Sequence, residues 1–340
     1  MLLEGRGVSV IICCYNSALR LSSTLKHLAL QKTTTALPWE IIVVNNASKD
    51  NTAAVALAEW GQYKRTDVNF RVVDQPVPGL TFAREKGVAV STYEYLVFCD
   101  DDNWLCETYI ETAFNLLEGW PEAAIIGGQG QPVPEIAPPR WFSNYSGYFA
   151  TGSQSTSDGV INDDNPYVYG AGVVVRKSIL LELNRIKFKF IAIDRLNDKL
   201  SSGADVEMCY VFRLLKKKIA YHHGLKFSHF IPANRLTDAY LLGLVYQFGF
   251  CDILHRPYYW VFNPLLPAYK KHWLWVFLIS LNIYLLSGLK LLKGGNPETK
   301  FVNKVNFEHA KGRLNAIVKL KWLVQKNYAM IRQKFESGQK

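Results

Sequence analysis

The sequence predicts an α/β fold with a doubly wound, mostly parallel sheet, followed by a helical C-terminal region. Short apolar runs alternate with helix-like segments over the first hundred residues, and each run ends in polar side chains. An uncharged stretch, 273–289, has lysines on both sides and predicts the C-terminal helices. At 340 residues and 49% hydrophobic content, the chain is long and apolar enough for one large domain or two ordinary ones.

Four strands and three helices are predicted in the first hundred residues. Continuous apolar runs are typical of parallel strands that are buried on both faces. Ser17 is the predicted N-cap of the first helix, since its hydroxyl follows the end of the first strand. The alternation of strands and helices implies right-handed crossover connections between the parallel strands. The predicted strands are 8–14, 40–44, 70–73 and 95–99, and the predicted helices are 18–30, 53–63 and 81–91.

Three consecutive carboxylates, Asp100, Asp101 and Asp102, follow the fourth strand. Bare carboxylates are too costly to bury, so we expect them just past the strand, at the edge where open α/β sheets bind ligands. Mg²⁺ or Mn²⁺ would neutralise such a cluster, and these ions also take the phosphate oxygens of a bound nucleotide. The alternative interpretation is a solvated acidic turn or helix N-cap.

The polar ends of the other strands predict a nucleotide site at the same edge. Tyr15 and Asn16 follow the first strand, and Asn45 and Asn46 follow the second. The first strand is not followed by G-x-G-x-x-G, and the chain has no G-x-x-x-x-G-K-[ST]. Dinucleotide-binding and P-loop interpretations therefore lose their strongest support.

The following segment, about 105–232, supplies a candidate base and a candidate third metal ligand. A Ser/Gly turn precedes an apolar helix and places Asp205 in its first turn, as a general base or as an acid favoured by the helix dipole. His229 lies among aromatic residues, and we keep it as a metal ligand beside the alternative of a packed side chain. Residues 143–165 predict a mobile loop or lid, and Asp163-Asp164 at its end is interpreted as a solvated turn.

Charge and cysteine usage limit the class of partner. Residues 290–340 hold twelve Lys or Arg and three Glu, so this tail carries +9 of the net charge of +10. Basicity that is confined to a segment after the most apolar stretch favours an anionic membrane surface over nucleic acid. The six cysteines show no CxxC spacing and predict reduced thiols in the cytosol.

Six motifs in order resemble the family 2 glycosyltransferases. They are the strand and turn at 10–16, the strand and loop at 43–52, the helix at 83–87, the acidic strand at 98–103, the Gly170–Gly172 segment with Arg176, and residues 202–207; Gly128 extends the match, which covers about 8–230. Members of that family are inverting enzymes with the A-type, Rossmann-like nucleotide-sugar fold. The resemblance therefore implies a nucleotide-diphosphate sugar as donor and Mg²⁺ or Mn²⁺ as cofactor.

The resemblance also implies roles for individual residues. Asp205 would deprotonate the acceptor hydroxyl, and an aromatic residue such as Trp141 would stack on a sugar. Asp100 and Asp102 would form the metal-binding D-x-D motif. The nucleotide-sugar-binding residues would be Tyr15, Asn16, Asn46, Arg84, Asp100 and Asp101.

Two departures from the family pattern bear on activity and donor. Ala204 stands where many members have an acid before the base, which removes a neighbour that could tune Asp205. The second strand ends in Asn45-Asn46 instead of aspartate, so the donor and acceptor pattern offered to the nucleobase differs. UDP, GDP and dTDP therefore all remain candidate nucleotides.

The C-terminal region, 233–340, is predicted to be helical and membrane-associated at the cytosolic face. The stretch 273–289 is at the short limit for a span, and lysines at both ends give no orientation. It is a span, a monotopic or re-entrant helix paired with 236–250, or the core helix of a soluble protein. The tail at 299–335 mixes apolar residues with lysines, as interfacial helices do.

We therefore predict a metal-dependent inverting glycosyltransferase with its catalytic domain at 1–232, of which about 1–104 would bind the donor and about 105–232 the acceptor. The acceptor would be a lipid-linked saccharide or an envelope glycan in polysaccharide biosynthesis. The alternatives are a nucleotidyltransferase that makes sugar nucleotides, and a membrane-bound sugar- or nucleotide-binding protein without activity.

Overall fold

The computed structural model describes residues 5–34, 36–161, 167–192 and 203–336, which form two compact units. The first unit holds the described residues up to 189 together with 204–233. The second holds the helical remainder, chiefly 234–336.

The first unit begins with four parallel strands in the order β3-β2-β1-β4. Strands β1, β2 and β4 carry buried apolar side chains on both faces, as a sheet covered by helices requires, whereas the edge strand β3 is only partly buried. The predicted doubly wound arrangement is confirmed, and the element boundaries differ from the predicted ones by at most a few residues. The elements are β1 (Val8–Cys14), α1 (Leu21–Ala29), β2 (Trp39–Asn46), α2 (Thr52–Gln62), β3 (Asn69–Gln75), α3 (Leu80–Val90) and β4 (Tyr95–Asp100).

The predicted capping role of Ser17 is wrong. Helix α1 begins at Leu21 with Arg20 as its N-cap residue, and no side chain caps it. The Ser17 hydroxyl donates instead to the carboxylate of Asp101, which comes from the turn after β4. A long-range carboxylate has thus replaced the local backbone N–H groups as the partner of this hydroxyl.

The second half of the sheet continues past β4 in the order β8-β6-β9-β5, while β7 pairs with β9. Strand β8 is antiparallel to both β4 and β6, whereas β6 and β9 are parallel. The sheet is therefore mixed and mostly parallel at its first edge. The elements are β5 (Asn103–Leu105), α4 (Tyr109–Gly119), β6 (Ala123–Pro134), α5 (Phe142–Tyr145), β7 (Gly159–Val160), β8 (Val173–Arg176), α6 (Lys177–Arg185), α7 (Ala204–Leu214) and β9 (Lys218–Ile231).

The segment predicted as a loop or lid, 143–165, contains regular structure in its described part. Helix α5 continues into a short 3-10 turn at Ser146–Phe149, and β7 joins the sheet edge through β9. Trp141 and Phe149 are buried there and stack with ring centroids 6.2 Å apart. The Phe149 carbonyl lies 2.7 Å from His229 Nδ1 of β9, which attaches the segment to the sheet. The acidic pair Asp163-Asp164 lies outside the described residues.

The second unit is helical and includes one helix that is long and apolar enough to cross a membrane by length and composition. That helix is α10, with a mean hydropathy of 1.7 and 17% of its most apolar window buried. Helices α8 and α10 both pack against α11, so the predicted pairing of α10 with 236–250 is not the arrangement observed. The helices are α8 (Asp238–Leu254), α9 (Arg256–Phe262), α10 (Trp273–Leu291) and α11 (Pro297–Glu336).

Candidate active site

The carboxyl ends of β1, β2 and β4 meet at one edge of the sheet. Cys13 lies opposite Asp100 in the register of β1 and β4, and Cys14 lies opposite Asn45 in that of β1 and β2. The edge therefore collects the polar residues that follow all three strands, as parallel strands require.

Asp101 is a buried carboxylate with protein partners. Arg20 donates to its Oδ2 atom at 2.7 Å, and the Ser17 hydroxyl donates to the same oxygen. Burial and then the neighbouring charge of Asp102 raise the pKa of Asp101, and Arg20 and Ser17 oppose that rise. Both hydrogen bonds to this oxygen stabilise the turn after β4. The predicted contact of Asp101 with a nucleotide sugar stays a prediction.

Asp102 and His229 face each other across the last strand pair of the sheet. Asn103 lies opposite His229 in the β5–β9 register, and His229 Nε2 lies 3.5 Å from Asp102 Oδ1. The other ring nitrogen, Nδ1, lies 2.7 Å from the carbonyl oxygen of Phe149. A carbonyl can only accept, so Nδ1 carries a proton, and in the neutral ring Nε2 presents a lone pair towards the carboxylate.

Arg84 and Asp205 converge on Gly170. The Gly170 N–H donates to Asp205 Oδ2 at 3.0 Å. A Cβ added to Gly170 would lie 3.0 Å from Arg84 Nη2 and 3.6 Å from Asp205 Oδ2. Glycine thus lets the candidate base and the candidate phosphate-binding cation both lie close to the backbone at this position, and a Cβ here would crowd the Arg84 guanidinium.

Helix α7 and the Phe98 ring support these two side chains. Asp205 lies in the first turn of α7, as predicted, and its Oδ1 accepts from the Val206 N–H at 2.9 Å. The Arg84 guanidinium lies over the Phe98 ring, 5.3 Å from its centroid. Burial raises the pKa of the Cys13 thiol to about 12, while the nearby charge of Arg84 lowers this pKa and that of Asp100 raises it. Arg84 and the acidic turn therefore both lie near the end of β1.

Asn16 and Asn46 organise loops. The side chain of Asn46 donates to the carbonyls of Gln75 and Val77 at 3.1 and 2.6 Å and accepts from the Gly79 N–H at 2.8 Å. Asn16 has a positive φ of 49° and accepts from the Lys49 N–H at 2.8 Å. Both shape the edge beside half-buried Tyr15, and their contacts with a nucleotide stay predictions.

Two tyrosines beside Asp205 were missed by sequence reasoning. Val168 is fully buried, whereas Tyr167 before it is exposed and Tyr169 after it is half-buried. Burial raises the pKa of Tyr169 to about 12, with the charges of Tyr167 and Asp205 adding to it. The Y-x-Y pattern was the available signal. Trp141, expected to stack on a sugar, is only 9% exposed, whereas Tyr167 is 46% exposed.

A second group of metal-type side chains, Asp158, His222 and His223, lies where β7 meets β9. The Gly224 N–H donates to His222 Nδ1 at 3.0 Å, so neutral His222 carries its proton on Nε2, which faces Asp158 at 3.6 Å. His223 contacts the same carboxylate through its N–H and its ring. Hydrogen bonds account for this arrangement, and we assign no metal to it.

Comparison with known proteins gives a family match over the first unit. Residues 9–183 match the sequence profile described as Glycosyl transferase family 2. The poly(ribitol-phosphate) beta-N-acetylglucosaminyltransferase TarP of Staphylococcus aureus (strain N315) is 27% identical over 188 residues, which are 54% of this chain and 52% of that protein. The putative glycosyltransferase EpsH of Bacillus subtilis (strain 168) is 33% identical over 115 residues, 33% of this chain and 31% of its own length.

Among solved structures, residues 1–349 of S. aureus TarS match 98% of this chain and 92% of that chain, with 15% identity and a TM-score of 0.49. The chain spans about a third of EpsH and about half of TarP. The family profile, by contrast, extends over half of this chain and includes β1 to β4 and the acidic turn.

Proposed function

Because the chain belongs to glycosyl transferase family 2, we propose that it is an inverting glycosyltransferase that moves a sugar from a nucleotide-diphosphate sugar to a hydroxyl of a glycan or lipid-linked acceptor. The observation that carries the proposal is the convergence of Arg84 and Asp205 on Gly170. A cation and a carboxylate thereby lie at the sheet edge that also bears the acidic turn. Such an edge suits a nucleotide with a reactive diphosphate.

The residues of the acidic turn fit Mg²⁺ or Mn²⁺. Asp102 Oδ1, which accepts from the Asn103 side chain at 3.2 Å, lies 3.5 Å from His229 Nε2, so a carboxylate oxygen and an imidazole nitrogen lie side by side as metal ligands would. The Phe149 carbonyl fixes the His229 tautomer in the way that second-shell carbonyls orient metal-bound histidines. Asp102, His229 and Asp100 would hold the ion, which would neutralise charge on the departing diphosphate.

Asp205 is the proposed general base. The Gly170 and Val206 N–H groups each donate to one oxygen of its carboxylate, which orients the group and leaves further lone pairs for an acceptor hydroxyl. As the oxygen of the acceptor hydroxyl attacks the anomeric carbon, Asp205 takes the hydroxyl proton and the bond from that carbon to the diphosphate breaks. Arg84 stabilises the negative charge that develops on the leaving group. A single in-line displacement inverts the anomeric centre.

Nucleotide release from a panel of UDP-, GDP- and dTDP-sugars tests the proposal. The wild type, Asp102→Ala and Asp205→Asn would be compared with Mn²⁺, Mg²⁺ or EDTA, with and without glycan acceptors. Poly(ribitol phosphate), which the name of TarP gives as the acceptor of that protein, is one acceptor to include. We expect metal-dependent release from one donor, and a loss of about 10²–10⁴-fold in acceptor-dependent release for Asp205→Asn.

Glu111→Gln is the matched control, because Glu111 also lies in the first turn of a helix, α4, and takes no part in the proposed site. Full activity in Asp205→Asn would reject the base. Calorimetry with the free nucleotides separates a missing acceptor from a binding protein without activity, since nucleotide binding with no turnover of any donor would favour the latter. Formation of a sugar nucleotide from a nucleoside triphosphate would favour the nucleotidyltransferase alternative.

We place the proposed reaction in the cytosol. All six cysteines are free thiols in the structure, and four of them are buried. Free buried thiols are usual in reducing compartments such as the cytosol. The proposed nucleotide-sugar donor would have to be present in the same compartment. Alkylation of cells with a membrane-impermeant thiol reagent should leave half-buried Cys106 unmodified until the cells are lysed.

A further inference from the structure

Helix α10 exposes a broad apolar surface, which we call the apolar stripe. Its members are between 36% and 57% exposed, although a leucine or tryptophan on a helix in a closed core would be buried. They recur along the full length of the helix, so the exposure is continuous. The apolar stripe consists of Leu274, Trp275, Leu278, Ile279, Ile283, Leu285, Leu286 and Leu289.

The opposite face of α10 is packed against α11. Val276, Ser280 and Ser287 are buried on this face, and Val276 joins a core with Ala316 and Ile317 of α11. The small side chains of Ser280 and Ser287 allow the two helices to approach closely at these positions. The apolar stripe is therefore a second, distinct face of α10.

Contacts along the interface show that α10 and α11 run antiparallel side by side. The Trp273 and Trp322 rings meet at one end with centroids 5.5 Å apart, and Asn303 donates to the Lys290 carbonyl at 3.0 Å at the other. Between them, Tyr284 and Phe307 lie 5.0 Å apart. Residues 303–325 of α11 thus accompany α10 over its whole length.

This pairing argues against a transmembrane α10. Wherever α10 crossed the hydrocarbon, the accompanying stretch of α11 would enter it too, and charged side chains in the bilayer centre strongly oppose insertion. Arg313 is ion-paired to Asp252, but this stretch has many other charges. Its charged residues are Lys304, Glu308, Lys311, Arg313, Lys319 and Lys321.

The ends of α10 carry the residues that anchor helices at a membrane–water interface. Lys270 and Lys271 precede the helix, Lys290 and Lys293 lie at its C-terminal end, and Tyr269 packs edge-on against Trp275. A second copy of this chain would bring these like-charged ends together, whereas anionic lipid headgroups complement them. Charge therefore favours a lipid surface over self-association as the occupant of the apolar stripe.

We propose that α10 lies in the plane of an anionic membrane surface, with the apolar stripe in the headgroup–acyl boundary and α11 on the aqueous side. This inference concerns lipid binding alone, and a protein without transferase activity would bind in the same way. It selects the monotopic arrangement from those that the sequence left open.

Flotation of the purified full-length protein with preformed vesicles tests the proposal. We expect binding to phosphatidylcholine–phosphatidylglycerol vesicles that weakens at high salt, and at least tenfold weaker binding to phosphatidylcholine alone. Leu278→Glu together with Leu285→Glu should reduce binding at least tenfold. Leu57→Glu is the matched control, because Leu57 is 57% exposed on α2 of the first unit and should be neutral.

The depth of the middle of α10 distinguishes a helix in the plane from a span. Asn282 is exposed at that midpoint, and Asn282→Trp adds a fluorophore there. The fluorescence of the native tryptophans, measured in the wild type, is subtracted to give the quenching of the added one. Lipids brominated near the headgroup should quench it more than lipids brominated near the bilayer centre. Stronger quenching from the bilayer centre would overturn the proposal in favour of a span.

The oligomeric state provides the last discriminating result. Analytical ultracentrifugation should give a monomer whose mass is unchanged by Leu278→Glu. An oligomer that Leu278→Glu dissociates, together with no vesicle binding by the wild type, would show that a second copy covers the apolar stripe, and would overturn the proposal.

Discussion

At the scale of single residues, the turn after β4 depends on the partners of a buried carboxylate. Asp101 and Asp102 are 9% and 4% exposed, so their negative charges interact in a poorly solvated setting. Arg20 and the Ser17 hydroxyl both donate to Asp101, whereas Asp102 faces His229. Asp101 thus stabilises the turn through Arg20 and Ser17, whereas Asp102 faces His229 in the candidate site.

We predict that Arg20→Leu lowers the free energy of unfolding by about 2 kcal/mol, because it leaves Asp101 buried without its cation. Removal of one partner from a buried pair costs roughly 3–5 kcal/mol, and we expect less here because the Arg20 side chain is 33% exposed. Urea unfolding measures the change. Lys32→Ala, which breaks the exposed pair with Glu107, should cost no more than about 1 kcal/mol. An equally small effect of Arg20→Leu would mean that Asp101 is protonated in the native protein.

A buried histidine should make the second unit sensitive to acid. Burial lowers the pKa of His255 from 6.5 to about 4, and the charge of Asp252 opposes this only in part. Below pH 6.5 the unfolded chain binds a proton that the folded one excludes, so stability falls as the pH drops from 6.5 towards 4. The loss should reach about 3 kcal/mol on the scale of 1.36 kcal/mol per pKa unit.

Calorimetric melting temperatures over this pH range test the prediction. His255→Phe keeps an aromatic ring next to Tyr258 and should flatten the profile. His27→Phe, in α1 of the first unit, should leave the acid-dependent loss in place. If the melting temperature of the wild type did not fall between pH 6.5 and 4, the lowered pKa of His255 would be contradicted.

At the scale of elements, the crossing of α8 and α11 depends on glycines. A Cβ on Gly249 would lie 2.1 Å from the His309 carbonyl oxygen, and one on Gly312 would lie 2.0 Å from that of Tyr246. The two backbones therefore touch, which no other residue type would allow without a shift of one helix. Helix propensity alone would favour alanine at both positions, so tertiary packing outweighs it here.

We predict that Gly249→Ala destabilises the protein by about 2 kcal/mol or more, because backbone atoms must move to admit the methyl group. Gly61→Ala is the control, since Gly61 in α2 has no atom within 4 Å of an added Cβ and should gain about 0.5–1 kcal/mol in stability. Thermal unfolding followed by circular dichroism measures both. A gain in stability for Gly249→Ala would show that the two helices do not cross at this distance.

At the scale of the whole molecule, ligand binding at the sheet edge should stabilise the first unit. A ligand at 100 times its dissociation constant adds about 2.7 kcal/mol to the stability of the state that binds it. We predict that the nucleotide of the correct donor, with Mn²⁺, raises the melting temperature of the wild type. Asp102→Ala should lose the part of this rise in melting temperature that depends on Mn²⁺, whereas Asp158→Ala should keep the full rise. If Asp158→Ala alone abolished the shift, the cluster near β7 would be the metal site.

The element sequence of the first unit could be predicted from the chain because it depends on local pattern. Continuous apolar runs, each ended by polar residues, are visible without any contact information, and they predicted β1 to β4 within a few residues. The insertion of β8 between β4 and β6, antiparallel to both, could not be predicted. Strand pairing is a choice among partners far apart in sequence, and several pairings satisfy the same apolar pattern.

The candidate site could be predicted in kind but not in its contacts. The acidic triplet and Asp205 were identified by residue type and position and Arg84 by the family resemblance, yet the separate roles of Asp101 and Asp102 depend on Ser17, Arg20 and His229. The burial of Trp141 and the exposure of Tyr167 likewise follow from how the segment after β6 folds onto the first unit. A side chain's surroundings depend on residues that the linear pattern does not identify.

The sequence by itself determined the alternation of strands and helices, the edge at which polar groups collect and the apolar character of α10, because each depends on side-chain type and short-range spacing. Only the tertiary structure decided that Ser17 supports Asp101 instead of capping a helix, that Arg84 and Asp205 both lie beside Gly170, and that a charged helix accompanies α10. Each of these joins residues far apart in the chain, and such contacts exist only after the chain has chosen one packing among many that its local preferences allow.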